Sequence, residues 1–133
     1  MAYWILMLSF CLLIPIAMIA FGSRFAKKPP KKINMVYGYR TGMSMKNRDT
    51  WEFAHRHCGR LWRIIGLILL LLSIAALLAT IGREQDVINI CGSVVYATQL
   101  LCMIGSIFPT EIALRKNFNK DGNRYAPNHL ENK

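Results

Sequence analysis

Carboxylates are scarce in this chain: seven Asp and Glu stand against seventeen Lys and Arg in 133 residues, for a formal net charge of +10. Paired-carboxylate chemistry therefore has almost no material to work with. No nucleophile–base pair and no phosphate-cradling glycine loop occurs at a recognisable spacing either, so the sequence offers no enzymatic constellation. There is no C-x-x-C motif among the four cysteines. Cys11, Cys91 and Cys102 lie inside apolar runs, which rules out a disulfide scaffold and leaves packing as their role. Cys58 with His55 and His57 makes a poor metal set, because a tetrahedral structural site needs four convergent ligands and close sequence neighbours diverge around a helix. No metal and no cofactor is expected. Short alternating strands are missing as well, which removes the common β architectures.

Apolar length is what the chain has in abundance. Just over half of the residues are hydrophobic (53%), and they collect in three blocks: Tyr3 to Phe21, Ile64 to Ile81 and Val87 to Phe108. Each block is 18 to 22 uncharged residues long, the length a helix needs to cross about 30 Å of hydrocarbon. The fold class predicted is an all-α integral membrane protein with three transmembrane helices in a single domain, residues 1–133. The first block is read as an anchor and not as a cleaved signal peptide. No positive side chain precedes it, Ala17 to Ala20 is a poor cleavage site, and Arg24, Lys27, Lys28, Lys31 and Lys32 follow it directly.

Those cations orient the spans. The loop 22–63 carries eleven Lys and Arg against Asp49 and Glu52, whereas the link after the second span has Arg83 against Glu84 and Asp86. The tail 109–133 is again basic, with Arg115, Lys116, Lys120, Arg124 and Lys133 against Glu111, Asp121 and Glu131. The positive-inside rule then predicts a multi-pass protein of the cytoplasmic membrane, with the N-terminus outside and the loop and tail in the cytoplasm. The basic pI needs no nucleic-acid partner to explain it. Anionic lipid headgroups at the basic loop are the expected partner.

Within that loop, Pro29-Pro30 breaks the first helix. Gly38 and Gly42 bracket Tyr39-Arg40-Thr41 and predict a tight turn against a neighbouring surface. Asn47 or Asp49 caps a new helix, with Glu52 completing a capping box to Asp49. Trp51, Ala54, Cys58 and Leu61 then recur at helical spacing, opposite a basic face. An amphipathic helix is expected there, lying on the cytoplasmic interface, with a direct run into the second span as an open alternative. Pro109-Thr110-Glu111 closes the third span and starts a short helix ending near Phe118 and Gly122, with Glu111 in its first turn. Arg40 and Glu111 fall at the same membrane interface, so an ion pair is predicted to fasten the loop to the third span. Tyr96 and Gln99 are read as interhelical hydrogen-bond partners.

The spaced set Gly38-Tyr39-Arg40-Thr41, Ser44, Trp51, Ala54 and Gly59, then Pro109-Thr110-Glu111, Leu114, Phe118 and Gly122, resembles the signature of the SdpI-like family of small bacterial membrane proteins. The resemblance runs from about Met35 to Arg124, and the chain corresponds to the C-terminal unit of longer members. It implies immunity to a secreted, hydrophobic toxin peptide of the cannibalism type, and signalling through a cytoplasmic regulator.

The candidate ligand- or partner-binding residues are accordingly Gly38, Tyr39, Arg40, Thr41, Ser44, Trp51, His55, Pro109, Thr110 and Glu111. Each has a plainer reading beside the functional one. Tyr39, Trp51 and Trp62 suit interfacial anchoring, Arg40 suits orientation, and the histidines suit solvation or hydrogen bonding, with a pH response as the alternative. Three function classes stand: a binding and immunity module, an interfacial enzyme acting on a lipid-linked or peptide substrate, and a structural protein that binds anionic lipid. The family resemblance puts the first in front.

Overall fold

Four helices follow one another through residues 1–34, 36 and 38–125, the part of the chain that the computed structural model describes. They are α1 (Ala2–Lys27), α2 (Arg48–Leu78), α3 (Gln85–Gly105) and α4 (Ile107–Asn117). Of the predicted tail, residues 126–133, with Glu131 and Lys133, lie outside the described residues, as do Met35 and Tyr37. Three helical stretches are long and apolar enough to cross a membrane, α3 and α4 counting together as Gln85–Asn117. The chain is an all-helical, multi-pass membrane protein. Ser106 divides α3 from α4 with near-helical angles (φ −65°, ψ −17°), so the path hardly deviates. Pro109 then sits in the first turn of α4, where its missing N–H is not needed, while Glu111 falls beyond that first turn.

The helix starting at Arg48 is not a separate interfacial element. It runs without a break into the second span, 31 residues in all. At 1.5 Å per residue this is about 46 Å against about 30 Å of hydrocarbon, so the part bearing Arg48, Arg56, Arg60 and Arg63 must project from the membrane. Asn47 is its cap: the side chain accepts from Thr50 N–H at 2.9 Å, and the Thr50 hydroxyl accepts from Asn47 N–H at 3.1 Å. Thr50 thus completes the capping box expected of Glu52, which instead pairs with Arg48 at 3.2 Å.

Glycine lets α1 and α2 touch backbone to backbone. A Cβ on Gly59 would stand 2.6 Å from both Ala26 N and Gly22 O, so no side chain fits at that crossing. Deeper in the membrane, Pro15 within α1 deprives the Cys11 carbonyl of its helical donor. Gln99 of α3 replaces it, its Nε2 donating to Cys11 O and to Ser73 Oγ, both at 2.8 Å. Tyr96 donates to Phe10 O at 2.7 Å. At the end away from the basic loop, Tyr3 bonds Asn89 and Trp4 Nε1 donates to Leu77 O at 2.9 Å.

Candidate functional site

The site is assembled at the basic end, where the loop before α2 folds over the helices. Gly38 is its pivot. Its φ of +108° excludes L side chains, and a Cβ there would fall on the His55 imidazole. The close approach lets Tyr39 N–H donate to His55 Nε2 at 2.9 Å, while the other ring nitrogen lies 2.8 Å from Trp51 O. A neutral imidazole protonated on Nδ1 satisfies both bonds, since Nε2 must accept and Trp51 O can only accept. His55 is fully buried, and burial pushes its pKa below the ordinary histidine value. The phenyl ring of Phe25 stands edge-on to it at 5.1 Å.

Beyond Tyr39 the turn is closed by hydroxyls. Thr41 N–H donates to Ser44 Oγ at 2.8 Å, and Ser44 N–H donates back to Thr41 Oγ1 at 3.2 Å. Ser44 is fully buried. Trp51, also without exposed surface, donates its indole N–H to Pro30 O at 2.8 Å. That bond holds the chain leaving α1 against α2. Instead of anchoring at the interface, Trp51 is part of a protein core. The same holds for Ala54 and Cys58, which pack with Tyr39, Leu114 and Phe118, whereas Leu61, the fourth residue of the expected stripe, is half-buried beside the groove between α2 and α3.

Glu111 joins the site through Tyr39, not through Arg40. The Tyr39 hydroxyl donates to Glu111 Oε1 at 2.8 Å, and among the described residues the ion pair formed is Arg48–Glu52. Burial first, and then the Glu111 carboxylate, push the Tyr39 hydroxyl above its ordinary range, so it stays a donor. The loop is fastened to α4 as expected, but by a neutral donor, because Tyr39 points inward and Arg40 lies on the exposed side. Thr110 makes the second tie to α4, 3.2 Å from His57 Nδ1. Burial and then Arg60 push the His57 imidazole below its ordinary value.

Under this loop lies a cavity of about 420 Å³, its walls including Phe21, Phe25, Trp62 and Ile107, its roof Gly38 to Thr41. The walls are aromatic and aliphatic, Arg40 supplies a cation on the roof, and Cys58 is a further lining residue. Burial pushes the Cys58 thiol up to about 12, with Thr110 pulling weakly the other way, so it is no nucleophile at neutral pH. Chemically the cavity can hold an apolar group with a polar or anionic end near Arg40.

Of the residues expected at the site, Gly38, Tyr39, Arg40 and Thr41 form the roof. Ser44, Trp51, His55, Thr110 and Glu111 form the support behind it. Pro109 stands apart, exposed in a lipid-facing groove between α2 and α3. The four apolar wall residues were not anticipated. The visible signal was the i, i+4 pair Phe21 and Phe25 placed just before the basic cluster.

Residues 31–110, more than half of the chain, match the SdpI/YfhL protein family. The chain is also 46% identical over 41 residues to a protein named "Uncharacterized protein YfhL" from Bacillus subtilis (strain 168). That alignment spans 31% of this chain and 37% of the relative's length. No solved structure matches the chain. The family match begins one residue after Pro30, where Trp51 clamps the chain, and ends at Thr110, so it takes in the roof of the cavity and its support up to the tie between α2 and α4, and the chain belongs to the SdpI/YfhL family.

Proposed function

We propose that this protein is a membrane-embedded binding module of the immunity type, which takes an apolar segment of a hydrophobic toxin peptide into the cavity between Phe21, Phe25, Trp62 and Ile107. The observation that carries this reading is the pairing of an apolar pocket of about 420 Å³ with a cationic roof residue, Arg40, at the membrane end where the basic residues gather. Pockets that combine apolar walls with a few placed polar groups are typical of ligand sites. Occupancy has a route outward: the roof residue Tyr39 holds Glu111 of α4, so a ligand lifting the roof disturbs the basic tail. A cytoplasmic regulator reading that tail is the matching partner. The orientation that goes with this reading has the N-terminus outside and the loop and tail inside, following the basic residues. In it, the projecting half of α2 keeps its arginine face at the interface.

The test is survival. Expressed in a bacterium sensitive to a membrane-active peptide of the cannibalism type, the wild-type chain raises survival. Ile107→Trp, which fills the cavity from a half-exposed position, and Arg40→Ala both abolish protection at unchanged membrane abundance. Protection by a folded Ile107→Trp equal to wild type would refute the cavity as the binding site. Absence of protection by the wild type would refute the immunity class.

A further inference from the structure

A second pocket lies on the outside of the same end, formed by the loop before α2, the end of α4 and the turn that follows it. Lys46, Arg115 and Lys120 line it, over a floor that includes Met43, Phe118 and Tyr125. Its three cations come from separate segments that only the fold brings together. Among the described residues no carboxylate lines it, and the nearest described acid in sequence is the exposed Asp121 beside Lys120. The turn is fixed in place: Asn47 Nδ2 donates to Gly122 O at 2.6 Å, and the Arg124 guanidinium lies 4.8 Å from the centre of the Phe118 ring. The cations are therefore held on an ordered surface.

A continuous apolar stripe leads to this pocket. Leu101 (71% exposed), Ile104 (55%), Phe108 (69%) and Ile112 (56%) follow at i, i+3, i+7 and i+11, and Arg115 is the next residue on that face. From Leu101 to Ile112 is eleven residues of nearly continuous helix, about 16 Å, which runs from the apolar span to the level where Thr110 meets His57 on the projecting half of α2. Acyl chains lying along the stripe would bring their headgroup to Arg115. A guanidinium there can grip a phosphate through two N–H donors while the two lysines add point charge.

We propose that the Lys46–Arg115–Lys120 pocket is a specific headgroup site for an anionic phospholipid whose acyl chains run along Leu101 and Ile104 and whose glycerol region passes Phe108 and Ile112. It is a different cavity from the one assigned to the toxin peptide, and it stands or falls independently of that reading. The site would fix the depth and tilt of the third span and hold the tail turn at the membrane surface.

The test uses the full chain in nanodiscs of mixed phosphatidylglycerol and phosphatidylcholine, extracted gently and weighed by native mass spectrometry. Lys46→Gln/Arg115→Gln/Lys120→Gln is compared with Lys27→Gln/Lys28→Gln/Lys32→Gln, which removes the same charge from exposed residues elsewhere. Wild type and the second variant retain phosphatidylglycerol, and the first loses about tenfold or more of it. Equal loss in both variants would mean diffuse surface attraction and overturn the site. Displacement of the lipid from wild type by millimolar inorganic phosphate would assign the pocket to a soluble phosphate and overturn the lipid reading. All three proteins are checked for equal thermal unfolding, and a first variant that unfolds is replaced by Arg115→Gln alone, for which the same two outcomes decide.

Discussion

The membrane half and the basic end of this protein are built on opposite rules, although α2 passes through both. In the membrane, many large apolar side chains such as Leu71, Leu72 and Leu101 face outward, and the helix contacts join the small or polar residues Gly66, Gly92, Ser73 and Gln99 to a few buried apolar ones, Met18 and Leu77 among them. At the basic end the large side chains turn inward: Trp51, Leu114 and Phe118 are buried, and arginines cover the surface. The difference follows from the solvent. Lipid is as apolar as leucine, so burying leucine between helices gains little there, and close backbone approach and polar ties do the work. Water surrounds the other end, where burying an aromatic is worth several kcal/mol.

That contrast is sharpest in paired truncations. Trp51→Ala removes a fully buried indole and its bond to Pro30, and should lower unfolding stability in bicelles by about 3–5 kcal/mol. Leu101→Ala, on the lipid side, should change it by no more than about 0.5 kcal/mol. Comparable losses would erase the distinction.

The tie between roof and α4 comes next. Tyr39→Phe and Glu111→Gln should each cost about 1.5–3 kcal/mol, as for a hydrogen bond to a charged group, and the double variant should cost no more than the worse single. A cycle run with Arg40→Ala in place of Tyr39→Phe should show weaker coupling to Glu111. In the membrane half, Gln99→Leu strands the Cys11 carbonyl that Pro15 already deprived, and should cost about 1 kcal/mol. Adding Pro15→Ala, which restores the helical donor, should recover part of that loss.

Acid separates the halves again. The folded-state pKa of His55 lies below its ordinary value of 6.5. The unfolded chain therefore binds a proton first, and stability is fully present above about 6.5 and falls as the pH drops toward the folded-state value, by up to about 1.4 kcal/mol per unit. Tryptophan fluorescence followed in acid titrations of wild type, His55→Gln and His57→Gln would apportion the slope, the larger share belonging to His55. As small as the Leu101→Ala effect is that of Arg48→Ala, which breaks an exposed i, i+4 pair and should cost at most about 0.5 kcal/mol in the same unfolding measurement.

The three spans were legible because lipid imposes a length and a composition that a one-dimensional string records directly. The breaker at Pro29-Pro30, the helix start near Asn47 and the turn at Gly38 were legible for a similar reason, since each depends on the residue's own backbone preferences. Gly42 was misread by that same logic: nothing approaches it within 4 Å and its φ is not positive.

Side-chain partners were legible only as classes. Glu111 was rightly placed beside the loop, but sequence could not decide between Arg40 and Tyr39, because adjacent residues in a turn point opposite ways and charge pairing favours the wrong one. Trp51 reads as an interfacial anchor until it is seen buried, bonded to Pro30 and packed against the His55 ring.

What the sequence by itself determined is therefore the number of spans, the crowding of cations at one end, and the family. These are carried by local length, charge and motif, which need no third dimension. Only the tertiary structure decided that His55 is a neutral bridge under Tyr39, that Gln99 repairs the gap left by Pro15, and that Phe21, Phe25, Trp62 and Ile107 share one cavity. Each of those joins groups on different helices, and their meeting depends on where glycine lets α1 and α2 cross.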